Sequence, residues 1–137
     1  MTTINGSCCC GAVKFSLKKE PSMMGTCHCS RCRKVGASTM VFVKKDDLVW
    51  IQGIENVKLY QPTAPYKYGR CFCQTCGTSF GEILCDNDQD TFPIAAHAID
   101  TEIPQLQNQF HEFVQEKPWW YKICDNDDAK QYDGHPE

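Results

Sequence analysis

The chain has 137 residues, 42% of them hydrophobic and 23% charged, with a formal net charge of -3. These figures fit one globular domain and argue against a disordered chain or a general nucleic-acid binder with a basic footprint. No run approaches the roughly 18 apolar residues of a membrane helix, and Met1-Thr2-Thr3-Ile4-Asn5-Gly6 lacks the basic-then-apolar pattern of a signal peptide, so a cytoplasmic protein without membrane contact is expected. We read a single domain over 1–124 and an acidic tail over 125–137, beginning Asp125-Asn126-Asp127-Asp128 and expected to fray.

In chain order, Cys8, Cys10 and Ala12 fall on one face of an extended segment and Val13, Phe15 and Leu17 on the other, the period-two pattern of a half-buried strand. Further strands are expected over Met23–His28, Thr39–Lys44, Leu48–Gln52, Val57–Gln61, Tyr66–Phe72, Thr78–Leu84, Phe92–Ala98 and Gln109–Val114. Turn signals at Lys45-Asp46-Asp47, Gly53, Pro62-Thr63-Ala64-Pro65, Gly77 and Asp86-Asn87-Asp88 separate them. A helical turn over Ser30–Val35, capped by Ser30 and stopped by Gly36, and a second over Ile103–Asn108 complete a mainly β, barrel-like or sandwich domain.

The eleven cysteines are odd in number and tightly clustered, which in a reducing compartment points to metal sites rather than bridges. On a strand, Cys8 and Cys10 can aim at one ion while Cys9 points away; Cys73 and Cys76, a C-x-x-C pair followed by Gly77, form a zinc knuckle that completes four thiolates. Such a saturated site is structural. Cys71 shares a strand face with Cys73 and could replace a ligand.

The middle cluster, Cys27-x-Cys29-x-x-Cys32, offers three sulfurs with no obvious fourth, and His28 should point away from them. Three protein ligands leave one position for water or a substrate thiol, the mark of a catalytic ion. Arg31, Arg33 and Lys34 are expected to lower these thiol pKa values. The alternative is a second structural site completed by Cys9, Cys71, Cys85 or a distant histidine.

Gly6-Ser7-Cys8-Cys9-Cys10-Gly11-Ala12-Val13, Cys27-His28-Cys29-Ser30-Arg31-Cys32-Arg33, Phe72-Cys73-Gln74-Thr75-Cys76-Gly77 and Pro118-Trp119 resemble the glutathione-dependent formaldehyde-activating enzyme family, including its centromere-protein-V-like members. The resemblance implies a zinc-bound complex β-sandwich or β-tent fold. It implies a structural zinc on Cys8, Cys10, Cys73 and Cys76 and a catalytic zinc on Cys27, Cys29 and Cys32, two ions per chain. It also implies condensation of glutathione with formaldehyde to S-hydroxymethylglutathione, a carbon-sulfur lyase reaction in reverse.

Glutathione, as co-substrate, carries two carboxylates that Arg31, Arg33, Lys34 or Arg70 could recognise, although each also reads as a solvated charge. Tyr66, Tyr68, Trp119 and Trp120 are pocket, core or rim aromatics, and His97 reads as a satisfied core histidine. Cys85 and Cys124 read as small apolar residues. The competing function is a non-catalytic zinc-stabilised module that binds protein or nucleic acid; a metal-free thiol sensor at the middle cluster is a third.

Overall fold

Alternating side-chain burial along short strands builds two sheets around one core. The computed structural model describes residues 3–84 and 89–136; Cys85 and the turn expected at Asp86-Asn87-Asp88 lie outside the described residues. Among the described residues the strands are β1 (Ile4–Ser7), β2 (Lys14–Leu17), β3 (Met23–Cys27), β4 (Thr39–Lys44), β5 (Leu48–Gln52), β6 (Val57–Tyr60), β7 (Arg70–Cys73), β8 (Ser79–Gly81), β9 (Thr91–Ala95), β10 (Asn108–Glu112) and β11 (Lys130–Gln131), with one α-helix, α1 (Ser30–Lys34). The fold is mainly β, as expected. No helix among the described residues is long and apolar enough to cross a membrane.

A three-stranded sheet runs in the order β1-β2-β5, and an eight-stranded sheet in the order β11-β10-β3-β4-β9-β8-β7-β6. Pairing is antiparallel except where β10 lies parallel to β3 and β11. The core is shared between the sheets: Phe15 and Leu17 of β2 pack with Val41 and Val43 of β4, Phe80 of β8, and Phe92 and Ile94 of β9. Phe15 meets both Trp50 and Phe80 edge-on, a favoured aromatic geometry. Close approach is possible because residue 6 is glycine; a Cβ there would stand 2.2 Å from the Phe15 ring.

Because side chains alternate, the odd residues of β3 and the even residues of β4 project from the opposite face of the large sheet. On part of that face Met40 and Ala95 cluster with Val35 and Ala37, which follow the end of α1. The remainder forms the floor of a cleft.

Four expectations are corrected. Cys8 and Cys10 do not lie on a strand but in the turn joining β1 to β2, closed by Gly11 N–H to Cys8 O and by Cys8 N–H to Val13 O, each 3.1 Å. Ile103–Asn108 makes a turn around Pro104, with Leu106 N–H donating to Ile103 O, and no helix. The N-cap of α1 is Cys29 rather than Ser30. The tail does not fray: β11 pairs with β10, and Phe113 and Val114 donate backbone N–H bonds to Gly134 and Tyr132.

Candidate metal centres and cleft

The sulfurs of Cys8, Cys10, Cys73 and Cys76 all lie within 4.8 Å of one another and could hold a metal ion. Sulfurs set at about 2.3 Å around a tetrahedral ion stand roughly 3.8 Å apart. The Cys8–Cys10 and Cys10–Cys73 sulfur separations of 3.6 and 3.9 Å fit that frame. The sulfurs also receive hydrogen bonds, from Val13 N–H to Cys8 at 3.3 Å and from Asn56 Nδ2, in the turn before β6, to Cys73 at 3.2 Å. Such donors orient and stabilise thiolates.

Hydrogen bonds from the Thr78 hydroxyl and backbone hold Cys76 down at about 5. Cys8 is lowered too, its burial outweighed by the Val13 N–H and the neighbouring thiols. Cys10 is pushed up to about 12: the Ala12 backbone bond lowers it, but desolvation and the adjoining sulfurs prevail. Cys9 is exposed and Cys71 is packed in the core; neither joins the group.

The second group is Cys27, Cys29 and Cys32, again within 4.8 Å of one another. β3 delivers Cys27 at its end, and the N-cap geometry of α1 turns Cys29 Sγ onto the Cys32 backbone N–H at 3.4 Å. Among the described residues no fourth His, Cys, Asp or Glu donor joins the three, so Cys9, Cys71 and the histidines do not complete it.

Mutual hydrogen bonding displaces the three thiols in different directions. Hydrogen bonds from the Cys27 and Cys32 thiols bring Cys29 down to about 2, while Cys27 is pushed up by its own bonds to Cys29 and Cys32 and by burial. Cys32 is raised as well: the bond to Cys27 lowers it, but the bond to Cys29, burial and the Cys29 charge prevail. The depression of Cys29 thus comes chiefly from its fellow thiols and the backbone N–H groups of Cys32 and Arg31, not from the cationic side chains that were expected to cause it.

The triad opens on a cleft of about 760 Å³, whose polar wall includes Arg31, Lys67, Arg70, Glu82, Glu112 and Glu116. Arg31 donates to Tyr68 O at 2.8 Å and lies 4.4 Å over the Tyr66 ring, so both tyrosines border the cleft as sequence allowed. Arg33 and Lys34 are exposed and do not line it. Trp119 and Trp120 also lie outside, at 93% and 67% exposure.

Arg70 is buried between the triad and a carboxyl group. Its Nη2 donates to Cys32 Sγ at 3.5 Å, its Nη1 stands 3.8 Å from Glu82 Oε2, and its Nε has no partner. Burial raises the Glu82 pKa against the pull of Arg70 and Arg31.

Behind the triad, His28 turns away from the sulfurs as expected. Its Nε2 lies 2.8 Å from His111 Nδ1, and His111 Nε2 lies 2.9 Å from Asp127 Oδ2. When His111 is neutral, a proton on Nε2 reaches Asp127 and Nδ1 accepts from His28 Nε2–H. This chain, Glu82 and Lys67 escaped the sequence reading, because the contacts join residues tens of positions apart. His97 is satisfied but exposed, donating from Nε2 to Ser79 O at 2.7 Å, rather than buried in the core.

Fold and site together define a β-sheet protein with two cysteine clusters that could each hold a metal ion, one offering four sulfurs and one offering three beside a cleft. The sequence pattern of the glutathione-dependent formaldehyde-activating enzyme family matches residues 3–116, and the chain belongs to that family. A Halomonas elongata protein provisionally named glutathione-dependent formaldehyde-activating enzyme is 29% identical over 143 residues, covering 98% of this chain and 89% of that one. A crystal structure of a Rhodobacter sphaeroides protein shares the fold, with a TM-score of 0.60 at 23% identity over 93% of this chain and 98% of that one.

Proposed function

We propose that this chain is a cytoplasmic zinc enzyme of the carbon-sulfur lyase type that joins glutathione and formaldehyde into S-hydroxymethylglutathione and releases them again. The observation that carries the reading is the cysteine triad at the wall of a 760 Å³ cleft, with no fourth donor among the described residues. Cys8, Cys10, Cys73 and Cys76 would hold a structural zinc, and Cys27, Cys29 and Cys32 a catalytic one. The donor sets suit that ion, since all-sulfur ligation favours it. Zinc held by three thiolates is a weak Lewis acid, and what it supplies is a lowered pKa for a thiol docking beside them.

The protein's own groups account for the rest. Arg31 and Lys67 stand at the cleft wall to receive glutathione carboxylates, which leaves Arg33 and Lys34 as surface charges. Attack of the glutathione sulfur on the carbonyl carbon forms the S–C bond and moves the π pair to oxygen. Glu82, made more basic by burial, takes the proton that the thiol loses and passes it to that oxygen. The reverse reaction retraces these steps.

The test is exchange spectroscopy on glutathione, formaldehyde and adduct at equilibrium. The wild type should accelerate interconversion above the spontaneous rate, and Cys32→Ser should lose the acceleration while remaining folded. Equal acceleration by both proteins would refute the reading. A second reading, a zinc-stabilised module that binds a protein, draws support from the exposed Trp119 and Trp120. It expects no acceleration from either protein.

A further inference from the structure

The outer face of the large sheet carries an apolar track that begins at the triad. Cys27, Gly25 and Met23 follow one another on the same side of β3. Beside them, Gly25 pairs with Met40 and Met23 with Phe42 across β4, Phe42 pairs with Pro93 across β9, and Phe110 of β10 lies beside Gly25. All these residues line the same cleft.

Phe110 reaches the track only because residue 25 has no side chain. A Cβ there would stand 2.1 Å from the Phe110 ring, which instead lies across β3 and tilts toward Phe42 with centroids 6.3 Å apart. Phe42 and Phe110 are half-buried and Met23 is 37% exposed, so these side chains offer apolar surface to the cleft, whereas Gly25 and Met40 are buried. Four residue-to-residue steps from Cys27 to Met23, at about 3.3 Å each, give a track of roughly 13 Å. A hydroxymethyl group would occupy only its first few ångströms. The polar side chains that could take glutathione, Arg31 and Lys67, line the same cleft from other elements, α1 and the 61–69 segment.

We propose that Met23, Gly25, Met40, Phe42, Pro93 and Phe110 form a subsite for an alkyl or aryl group on the carbonyl-derived half of the adduct, so that the substrates include thiol adducts of apolar aldehydes. The inference rests on the glutathione reading above for the other half. For an aldehyde R-CHO, the thiol sulfur bonds to the carbonyl carbon, the π pair goes to oxygen, and the proton lost by sulfur is matched by the one gained on oxygen. With a thiol R'SH the product is the hemithioacetal R'S-CH(OH)R, and no oxidant or reductant is needed. The group R then lies on the track.

The experiment is calorimetry on the metal-loaded full chain with S-methyl-, S-butyl-, S-hexyl- and S-octylglutathione, run beside ethane-, butane-, hexane- and octanethiol. Each methylene laid on an apolar surface should tighten binding about two- to fourfold. In Met23→Ser, a change at the exposed far end, the short members should bind as in the wild type, and the octyl compounds should lose most of their advantage over hexyl. Flat affinity along both series would overturn the subsite. Flat affinity with S-methylglutathione still bound would leave the glutathione reading intact. Rising affinity among the alkanethiols alone, with no glutathione derivative bound, would support the track and remove glutathione.

Discussion

At the scale of single residues, Cys29 and Glu82 share a cleft and are displaced in opposite directions, one by thiol donors and the other by desolvation. In the metal-free chain at pH 6, Cys29 should be alkylated ahead of Cys27 and Cys32, as read by peptide mass mapping; Cys27 reacting first would contradict the proton arrangement. Arg70 is the nearest cation to buried Glu82. Arg70→Met should therefore cost about 1–3 kcal/mol at neutral pH. The sign of its pH dependence follows from the raised Glu82 pKa. Below the unfolded carboxyl pKa both states are protonated and Glu82 costs nothing; as pH rises past it the unfolded chain ionises first, and the folded state loses relative stability. Denaturant titrations should thus show a larger Arg70→Met deficit at pH 7.5 than at pH 4, and Glu82→Gln should remove the difference. An equal deficit at both pH values would place the Arg70 contribution elsewhere.

Among the elements, the strands with clean alternation were legible from sequence: Thr39–Lys44 and Leu48–Gln52 coincide with β4 and β5. β1 was missed because its four residues include a glycine needed for packing rather than pairing, and β11 because its two residues gain order only from β10. The Cys8–Cys10 pair mimicked strand alternation. Its sulfurs converge because a turn, rather than a pleat, brings them to 3.6 Å. The spacing of the cysteines pointed to the two groups whose sulfurs lie together and could hold a metal, although the inferred backbone differed. Nothing local announced that β10 would lie parallel to β3 and bring His111 under His28. That buried chain braces the Cys27–Cys29 segment against the tail. His111→Ala should cost about 1–3 kcal/mol by orphaning buried polar groups. It should also lower zinc content from two toward one per chain, measured by elemental analysis with thermal melts; unchanged zinc at lower stability would confine the chain to a packing role. Burial and the His111 and Lys117 charges lower the His28 pKa, so below about pH 6.5 the unfolded chain takes up a proton that the folded one resists. Stability should fall on that acid side, and more steeply in the wild type than in His28→Gln.

Across the whole molecule, the two cysteine groups differ in where they close the chain. Cys8 and Cys10 join Cys73 and Cys76 across more than sixty residues and tie the three-stranded sheet to the large one, so an ion there can contribute on the order of 10 kcal/mol to folding. Cys27, Cys29 and Cys32 span six residues and close almost nothing. Cys76→Ser should consequently give an insoluble or unfolded protein by circular dichroism, whereas Cys32→Ser should keep the wild-type spectrum and one zinc; the reverse pattern would exchange the roles of the two groups. The most direct test of those roles is cobalt substitution at both groups, followed by the visible spectrum during glutathione titration. The account predicts that the bands of one cobalt change on saturation, that the other cobalt is unaffected, and that the change disappears in Cys29→Ser. Two cobalt ions with spectra indifferent to glutathione, each already saturated by protein ligands, would contradict it.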